Sequence, residues 1–461
     1  MDIQTLMSRF GSMIILPMII FILAFSMGAK PGRAFRAAIT VGVAFIGINL
    51  VVGLMVKILS GVSNSMVQNT GRLMDIVDVG WPSAAAIAFG STVGIWVIPI
   101  ALSVNIILLL THVTRTLNVD IWNFWHFAFI GSLIVAATGN LAWGLIATAI
   151  ASAFALFLAD WTAKAVQKYF GIPGISIPHL ISASVVPIAI AINWIIERVP
   201  GLRDLNIDPE TIQKRFGIMG DPVVQGMFIG LVLGAIGYCN TGDFLTVLTK
   251  VLECGMGLAA VMLLLPRMVK VLMEGLIPVS EAARVFMQKR YNGREFYIGL
   301  DSAILIGYPA AFSASLLLIP MVILLSFILP GNHVLVFADL VVMPFIVAMF
   351  APVMKGNVVR IIIAGLITLV IGFYFGNNLA DLFTTAAMST KFEIPDIAAG
   401  AVKIISIGDG FMWPPFVFTN LTYAYGWAAL LFLAAMVALL FFFYSKNTKA
   451  WEKATGVSDE D

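Results

Sequence analysis

The sequence predicts an all-α polytopic membrane protein, with about 10–12 transmembrane helices plus re-entrant or discontinuous helical segments. Three observations lead there. Hydrophobic residues make up 60% of the 461 residues and charged ones only 11%. Mean hydropathy is +0.99, far above that of a soluble globule, which exposes more charge. The apolar runs approach the length a bilayer core requires, and the few ionisable side chains inside them stand beside Gly or Pro.

Taken in order, the runs are Met13 to Phe25, Ala37 to Leu54, Thr92 to Leu110, Ala142 to Leu158, Val223 to Ile236, Met256 to Leu265, Ala314 to Leu329, Val334 to Ala351, Val358 to Phe375 and Trp427 to Phe443. Some borrow flanking residues to complete a span. The first reads as a retained span, because Lys30-Pro-Gly-Arg33 follows it where a signal peptide would carry a small-residue cleavage site. Four stretches are apolar but too broken for simple spans: Val77 to Gly90, Gly171 to Pro187, Phe296 to Phe312 and Ile405 to Pro415. Backbone that leaves the helix at membrane depth must be buried in protein or line a water-filled cavity, so a solute site is expected there.

The basic residues set the orientation. Arg267, Lys270, Arg284, Lys289, Arg290 and Arg294 define what reads as the longest basic loop, on the cytoplasmic side. Lys30, Arg33 and Arg36 belong to the same side, as do Lys446, Lys449 and Lys453 near the C-terminus. Residues 1–445 read as a single membrane domain and 446–461 as a short cytoplasmic tail. The second polar loop, Glu197 to Asp221, is too short for a domain. No Lys/Arg run marks nucleic-acid binding, no Cys/His spacing marks a metal site, and no phosphate loop marks an ATPase. Cys239 and Cys254 read as small core residues.

Chemistry is expected where polar side chains interrupt the apolar background. Asn118, Trp122 and His126 are spaced by four, which would stack amide, indole and imidazole on one helix face, with Asp120 as its cap. Such a face suits a polyhydroxylated ligand. Trp122 and Trp125 equally suit an interfacial belt or packing, whereas His126 lies deep in the pattern. Pro178-His179 opens a half-helix through Ser182, Ser184 and Pro187, whose N-H groups could face a hydroxylate or phosphoryl oxygen; a histidine satisfied by backbone is the plainer reading. Asp301 suits an N-cap for Ser302 to Ile306, yet Ile298, Leu300, Ile304 and Ile306 frame it, as they would a desolvated proton acceptor. Tyr308-Pro309 closes that segment and offers a hydroxyl. Trp81, in Val77-Asp-Val-Gly-Trp-Pro82, is placed to stack on a carbon backbone. Asp78 and Asp221 read as caps, while His112 and His333 at span ends carry no role.

With these segments in view, the chain resembles the galactitol permease family. These are the membrane-embedded enzyme IIC components of the bacterial phosphoenolpyruvate-dependent phosphotransferase system, within the ascorbate–galactitol superfamily. The resemblance runs from about Leu6 to Phe443. It is strongest at Val77-Asp-Val-Gly-Trp-Pro82, Asn118-Val-Asp-Ile-Trp122, His126, Ile177-Pro-His179, Ile212-Gln-Lys-Arg-Phe-Gly217, Leu265-Pro-Arg267, Glu295-Phe-Tyr-Ile-Gly-Leu-Asp301 and Pro330-Gly-Asn332. It implies an inner-membrane homodimer, each protomer a substrate-carrying core domain moving against a dimerising scaffold domain. It also implies substrate contact around Trp81, His126, His179 and Asp301, and a phosphoryl donor on a cysteine of a separate IIB protein that a IIA protein recharges. At Gly307-Tyr308-Pro309 the family pattern would place Gly-His, and the stretch around Asp409 matches poorly. A related hexitol or pentitol is therefore open alongside galactitol.

The expected function is inward transport of a polyol coupled to its phosphorylation by separate IIA and IIB proteins, with no metal or cofactor. His179 and Asp301 are expected at the chemistry, and Trp81, Asn118, Trp122, His126, His179, Asp301 and Tyr308 at the substrate. The chain alone is not expected to be an enzyme. The alternative is a proton-coupled symporter in which His126, His179 or Asp301 relays the proton. A membrane-embedded hydrolase is disfavoured, since no nucleophile with a paired base stands at a recognisable spacing.

Overall fold

The computed structural model describes residues 28–70, 76–120, 122–205, 222–290, 296–336, 338–389 and 403–457, together with short pieces between 17 and 26. Most of the expected first span, Asp221 and Arg294 lie outside the described residues. Among the described residues, helices dominate, and five are long and apolar enough to cross a membrane. The all-α polytopic reading stands, and the chain is an integral membrane protein.

The long helices follow from long apolar runs with clear stops. Helix α1 is Pro31–Thr70, opened by a proline that suits a first turn. Strand β1 (Ile76–Asp78) and helices α2 (Trp81–Gly90) and α3 (Gly94–Leu110) follow. After β2 (Thr116–Asn118) and a 3-10 turn at Trp122–Phe124 come α4 (Trp125–Thr138) and α5 (Leu141–Phe170). Gly139 and Gly171 end these two helices in the left-handed conformation. Next are β3 (Ile175–Ser176), α6 (Leu180–Ala183), α7 (Val186–Ile196), α8 (Pro222–Tyr238) and α9 (Phe244–Arg290). The second half runs β4 (Tyr297–Gly299), a 3-10 turn Ser302–Ile304, α10 (Pro309–Ile328), β5 (Val334–Leu335), a 3-10 turn Ala338–Val342, α11 (Met343–Ala348), α12 (Phe350–Val353) and α13 (Val358–Ser389). It closes with β6 (Lys403–Ile405), α14 (Ile407–Gly410), α15 (Trp413–Tyr425), α16 (Trp427–Lys446) and α17 (Thr448–Ala454).

Two expectations fail here. Val334 to Ala351 is not a span: it breaks into β5, a 3-10 turn and two short helices. Asp339 and Pro344 interrupt it, and hydropathy alone does not register such breaks. The basic segment after Leu265 is not a loop either, because Arg267, Lys270, Arg284, Lys289 and Arg290 ride on the helix α9. Arg and Lys are good helix formers, so charge marks a side of the membrane without ending a helix. Helices α1, α8 and α9 pack chiefly on one another, while α4, α5, α10 and α13 surround the broken segments.

The six short strands make two three-stranded parallel sheets, ordered β5-β1-β6 and β2-β4-β3. They satisfy backbone groups where helix is interrupted. The register pairs Asp78 with Ile405 in one sheet and Ile298 with Ile175 in the other. Moving each strand three places along the chain exchanges the sheets: β1, β2 and β3 take the positions of β4, β5 and β6. This is the order an internal structural repeat produces. All four stretches expected to be broken do contain a strand followed by a short helical turn.

Candidate functional site

The two repeats meet at His126. Ile175-Ser-Ile-Pro-His179 and Ile405-Ser-Ile-Gly-Asp409 share a sequence pattern, each beginning in a strand and running into a short helix. His179 caps α6, and Asp409 lies within α14. The two arrive at opposite nitrogens of one imidazole. His126 Nδ1 lies 2.6 Å from Asp409 Oδ2, and His126 Nε2 lies 3.2 Å from His179 Nε2. Asp409 is fully buried, and the two histidines are 1% and 3% exposed, so the cluster is closed to solvent.

Each member is held by local structure. His126 sits in the first turn of α4, its ring against the buried Trp125 ring at 4.1 Å between centroids. His179 is the N-cap of α6, with Nδ1 accepting the Ser182 N-H at 3.4 Å, and its ring stacks near Phe345. Ser182 Oγ donates to Ser302 Oγ at 2.7 Å, which ties α6 to the turn after β4. Asp301 caps that turn by accepting the Ala303 N-H at 2.8 Å; the same Oδ1 stands 3.7 Å from His179 Nε2. Asp301 thus has the capping role the sequence suggests.

A second buried carboxylate organises the other sheet. Asp339 Oδ1 accepts the Trp81 N-H at 2.6 Å, while Oδ2 accepts the Ser406 hydroxyl at 2.5 Å and the Gly408 N-H at 3.1 Å. Asp78 accepts the Gly80 N-H at 3.1 Å and the Asp339 N-H at 2.7 Å, which is the capping role the sequence suggests. Trp81, half-buried at the start of α2, is thus anchored to the backbone turn that carries Asp409.

The expected helix face of Asn118, Trp122 and His126 does not exist. Asn118 ends β2, Trp122 belongs to the 3-10 turn, and only His126 is in α4. Asn118 Oδ1 accepts the Asp120 N-H at 3.1 Å, an Asx turn that breaks the periodicity. Asp120 does hold the following turn, through the Asn123 side chain. The Trp122 side chain lies outside the described residues. Trp125 is packing, as the plainer reading had it. Tyr308 directs its hydroxyl to the Phe170 carbonyl and rests its ring on Phe170.

His126, His179 and Asp301 are therefore brought together, with Asp409 as the partner that sequence reasoning left without a role. The signal was there: Ile-Ser-Ile followed two residues on by His179 in one half and by Asp409 in the other. Cys254 is buried as expected, while Cys239 is exposed. His112 and His333 are exposed at element ends. Among the described residues no His/Cys/Asp/Glu group could hold a metal ion.

Comparison with known proteins gives the lineage. Residues 6–398 match the profile of the "PTS system sugar-specific permease component" family, EIIC-GAT. The chain is 40% identical over 394 residues to the "PTS system galactitol-specific EIIC component" of Escherichia coli strain K12, covering 85% of this chain and 84% of that one. The O157:H7 counterpart matches to the same extent. A "Putative permease IIC component" of strain K12 is 36% identical over 404 residues, covering 87% and 90%.

Proposed function

Because this chain belongs to the EIIC-GAT family of phosphotransferase-system sugar permease components, we propose that it imports galactitol or a related hexitol or pentitol and presents it for phosphorylation. The observation that carries the reading is the His126–His179–Asp301 cluster among the broken segments, with both imidazoles buried and the carboxylate partly exposed. Imidazoles can donate to and accept from hydroxyls, a carboxylate accepts from them, and burial strengthens each such bond. Separate IIA and IIB proteins supply the phosphoryl group, and the chain acts as a phosphotransferase only together with them. Phosphorylation traps the polyol, since the added charge cannot recross the site. The protein works as a homodimer in the bacterial inner membrane. Its C-terminus faces the cytoplasm, in keeping with Lys446, Lys449 and Lys453 after the last long helix.

The test is accumulation of radiolabelled galactitol in cells expressing this chain with and without its IIA and IIB partners. Galactitol phosphate that forms only with the partners bears the proposal out. The chain of hydrogen bonds from Asp409 through His126 to His179 also suits a proton relay, which favours a symporter as the second reading. Accumulation of unmodified polyol that a protonophore abolishes would select it.

A further inference from the structure

The contacts at His179 bear on the tautomers of the cluster. The Ser182 N-H, a donor only, faces Nδ1 at 3.4 Å, while the Ser182 hydroxyl at the same distance donates to Ser302. With the backbone N-H as donor to Nδ1, the neutral ring carries its proton on Nε2. That Nε2-H points at His126 Nε2, 3.2 Å away, which must then be a bare acceptor. The remaining His126 proton is on Nδ1, 2.6 Å from Asp409 Oδ2. A carboxylate that accepts from it completes the chain. The reverse assignment, with Asp409 donating, would set the Ser182 N-H against a protonated His179 Nδ1 and leave only the Ser182 hydroxyl, at 3.4 Å, to accept from it. Asp409 Oδ1 has no hydrogen-bond partner among the described residues, so in this state the carboxylate's hydrogen bonding is directed at His126.

We infer that Asp409 is a positioning residue that holds His126 with Nε2 bare, making His126 the general base for the polyol hydroxyl and His179 the donor to that same hydroxyl's oxygen. This rests on the phosphotransfer reading above. A hydroxyl that enters between the rings replaces one N-H···N bond with two: it accepts from His179 Nε2 and donates to His126 Nε2. During transfer the hydroxyl O-H bond breaks and its proton passes to His126 Nε2. The oxygen forms a bond to the phosphorus of the IIB phosphocysteine, the phosphorus–sulfur bond breaks, and the thiolate leaves on IIB. His126 is then an imidazolium, stabilised by the Asp409 carboxylate until the site opens to water. Asp409 and His179 each follow an Ile-Ser-Ile run by two residues, and that pattern supplies a donor in one half of the chain and an anion in the other.

The chain has only four histidines, which makes the claim directly measurable. Replacing the exposed pair, His112→Asn and His333→Gln, leaves His126 and His179 alone in the nitrogen-15 spectrum of histidine-labelled protein in lipid. One imidazole protonated at Nδ1 in a short hydrogen bond and one protonated at Nε2 is the expected spectrum. Two rings of the same tautomer would overturn the assignment, and this readout needs no core variant to fold and no substrate. In the same background, Asp409→Asn should keep galactitol binding within about threefold and lose the far-downfield Nδ1 proton. It should also slow galactitol phosphorylation by charged IIB at least about 100-fold, the scale of a general base. The pH-rate profile adds a sign: without the anion His126 is less basic, so the acid limb moves to lower pH. The other ionisable groups nearest the pair are His179, Asp301 beyond it, and Asp339 at Gly408; all three stay in place. Wild-type phosphorylation in Asp409→Asn would refute the positioning role. The opposed tautomers in a protein that never phosphorylates galactitol would refute the transport reading instead and leave the assignment standing.

Discussion

Asp339 gives the sharpest test of how the broken helices are held. Its carboxylate takes two backbone N-H groups and the Ser406 hydroxyl at 2.5 to 3.1 Å in a fully buried setting, and it also hydrogen-bonds the Asp78 side chain. Asp339→Ala strands all three. Each orphaned buried donor costs about 1–3 kcal/mol, so the loss is on the order of 3–9 kcal/mol. That is comparable with the whole stability of many domains, about 5–15 kcal/mol. Asp339→Asn keeps the Oδ1 bond to Trp81 and turns an N-H₂ toward two donors, costing about 2–6 kcal/mol. Ser406→Ala removes the donor along with its bond and should cost only about 1 kcal/mol. Thermal unfolding of the three variants in detergent, followed by fluorescence-detected gel filtration, should therefore rank them Ser406→Ala, Asp339→Asn, Asp339→Ala in order of increasing damage. An Asp339→Ala protein that melts alongside Ser406→Ala would refute the view that this carboxylate clamps the turns after β1 and β6.

Three more outcomes are expected. His179→Ala and Asp301→Ala should abolish polyol uptake while gel filtration still shows folded protein; joint loss of fold would return both residues to a capping role. Gly144→Val should destabilise the membrane core, because Gly131 and Gly144 let α4 and α5 cross so closely that a Cβ on Gly144 would stand 2.7 Å from the Gly131 carbonyl oxygen; unchanged thermal stability would count against that crossing. Tyr308→Phe removes the bond to the Phe170 carbonyl and should cost about 1 kcal/mol without changing which polyols compete for uptake, whereas altered selectivity would put the phenol in the pocket.

The parts of this fold that were legible in the sequence are those governed by long-range averages. Runs such as Ala314 to Leu329 and Trp427 to Phe443 fall in the helices Pro309–Ile328 and Trp427–Lys446, because an apolar segment of that length has few other ways to satisfy its backbone in lipid. Breaks were legible where Gly, Pro and a charge coincide, as at Gly171 to Pro187. Spacing alone misled at Asn118, Trp122 and His126, where a helical period was read across a strand and a turn. An Asx turn at Asn118 and a 3-10 segment each rotate the chain, so residues four apart no longer share a face. Strand pairing was not legible at all. Two- and three-residue strands carry no alternation to detect, and their partners lie up to 327 positions away, as from Ile76 to Lys403.

Two nearly matching sequence motifs make an asymmetric site. A repeat that exchanges its halves would place identical groups on both sides of a central residue, and two histidines flanking a third would leave no net preference for where a proton rests. Here the chain has His179 in one half and Asp409 in the other, around a single His126 that has Phe345 near the opposing ring rather than an imidazole. The anion on one nitrogen polarises the ring, and the neutral donor on the other completes a one-way sequence of acceptors and donors from Asp409 to Ser182. Direction in that sequence is what separates a base that takes a hydroxyl proton from a pair of imidazoles that merely share one. The two sheets supply the scaffold, and the difference between histidine and aspartate after Ile-Ser-Ile supplies the polarity.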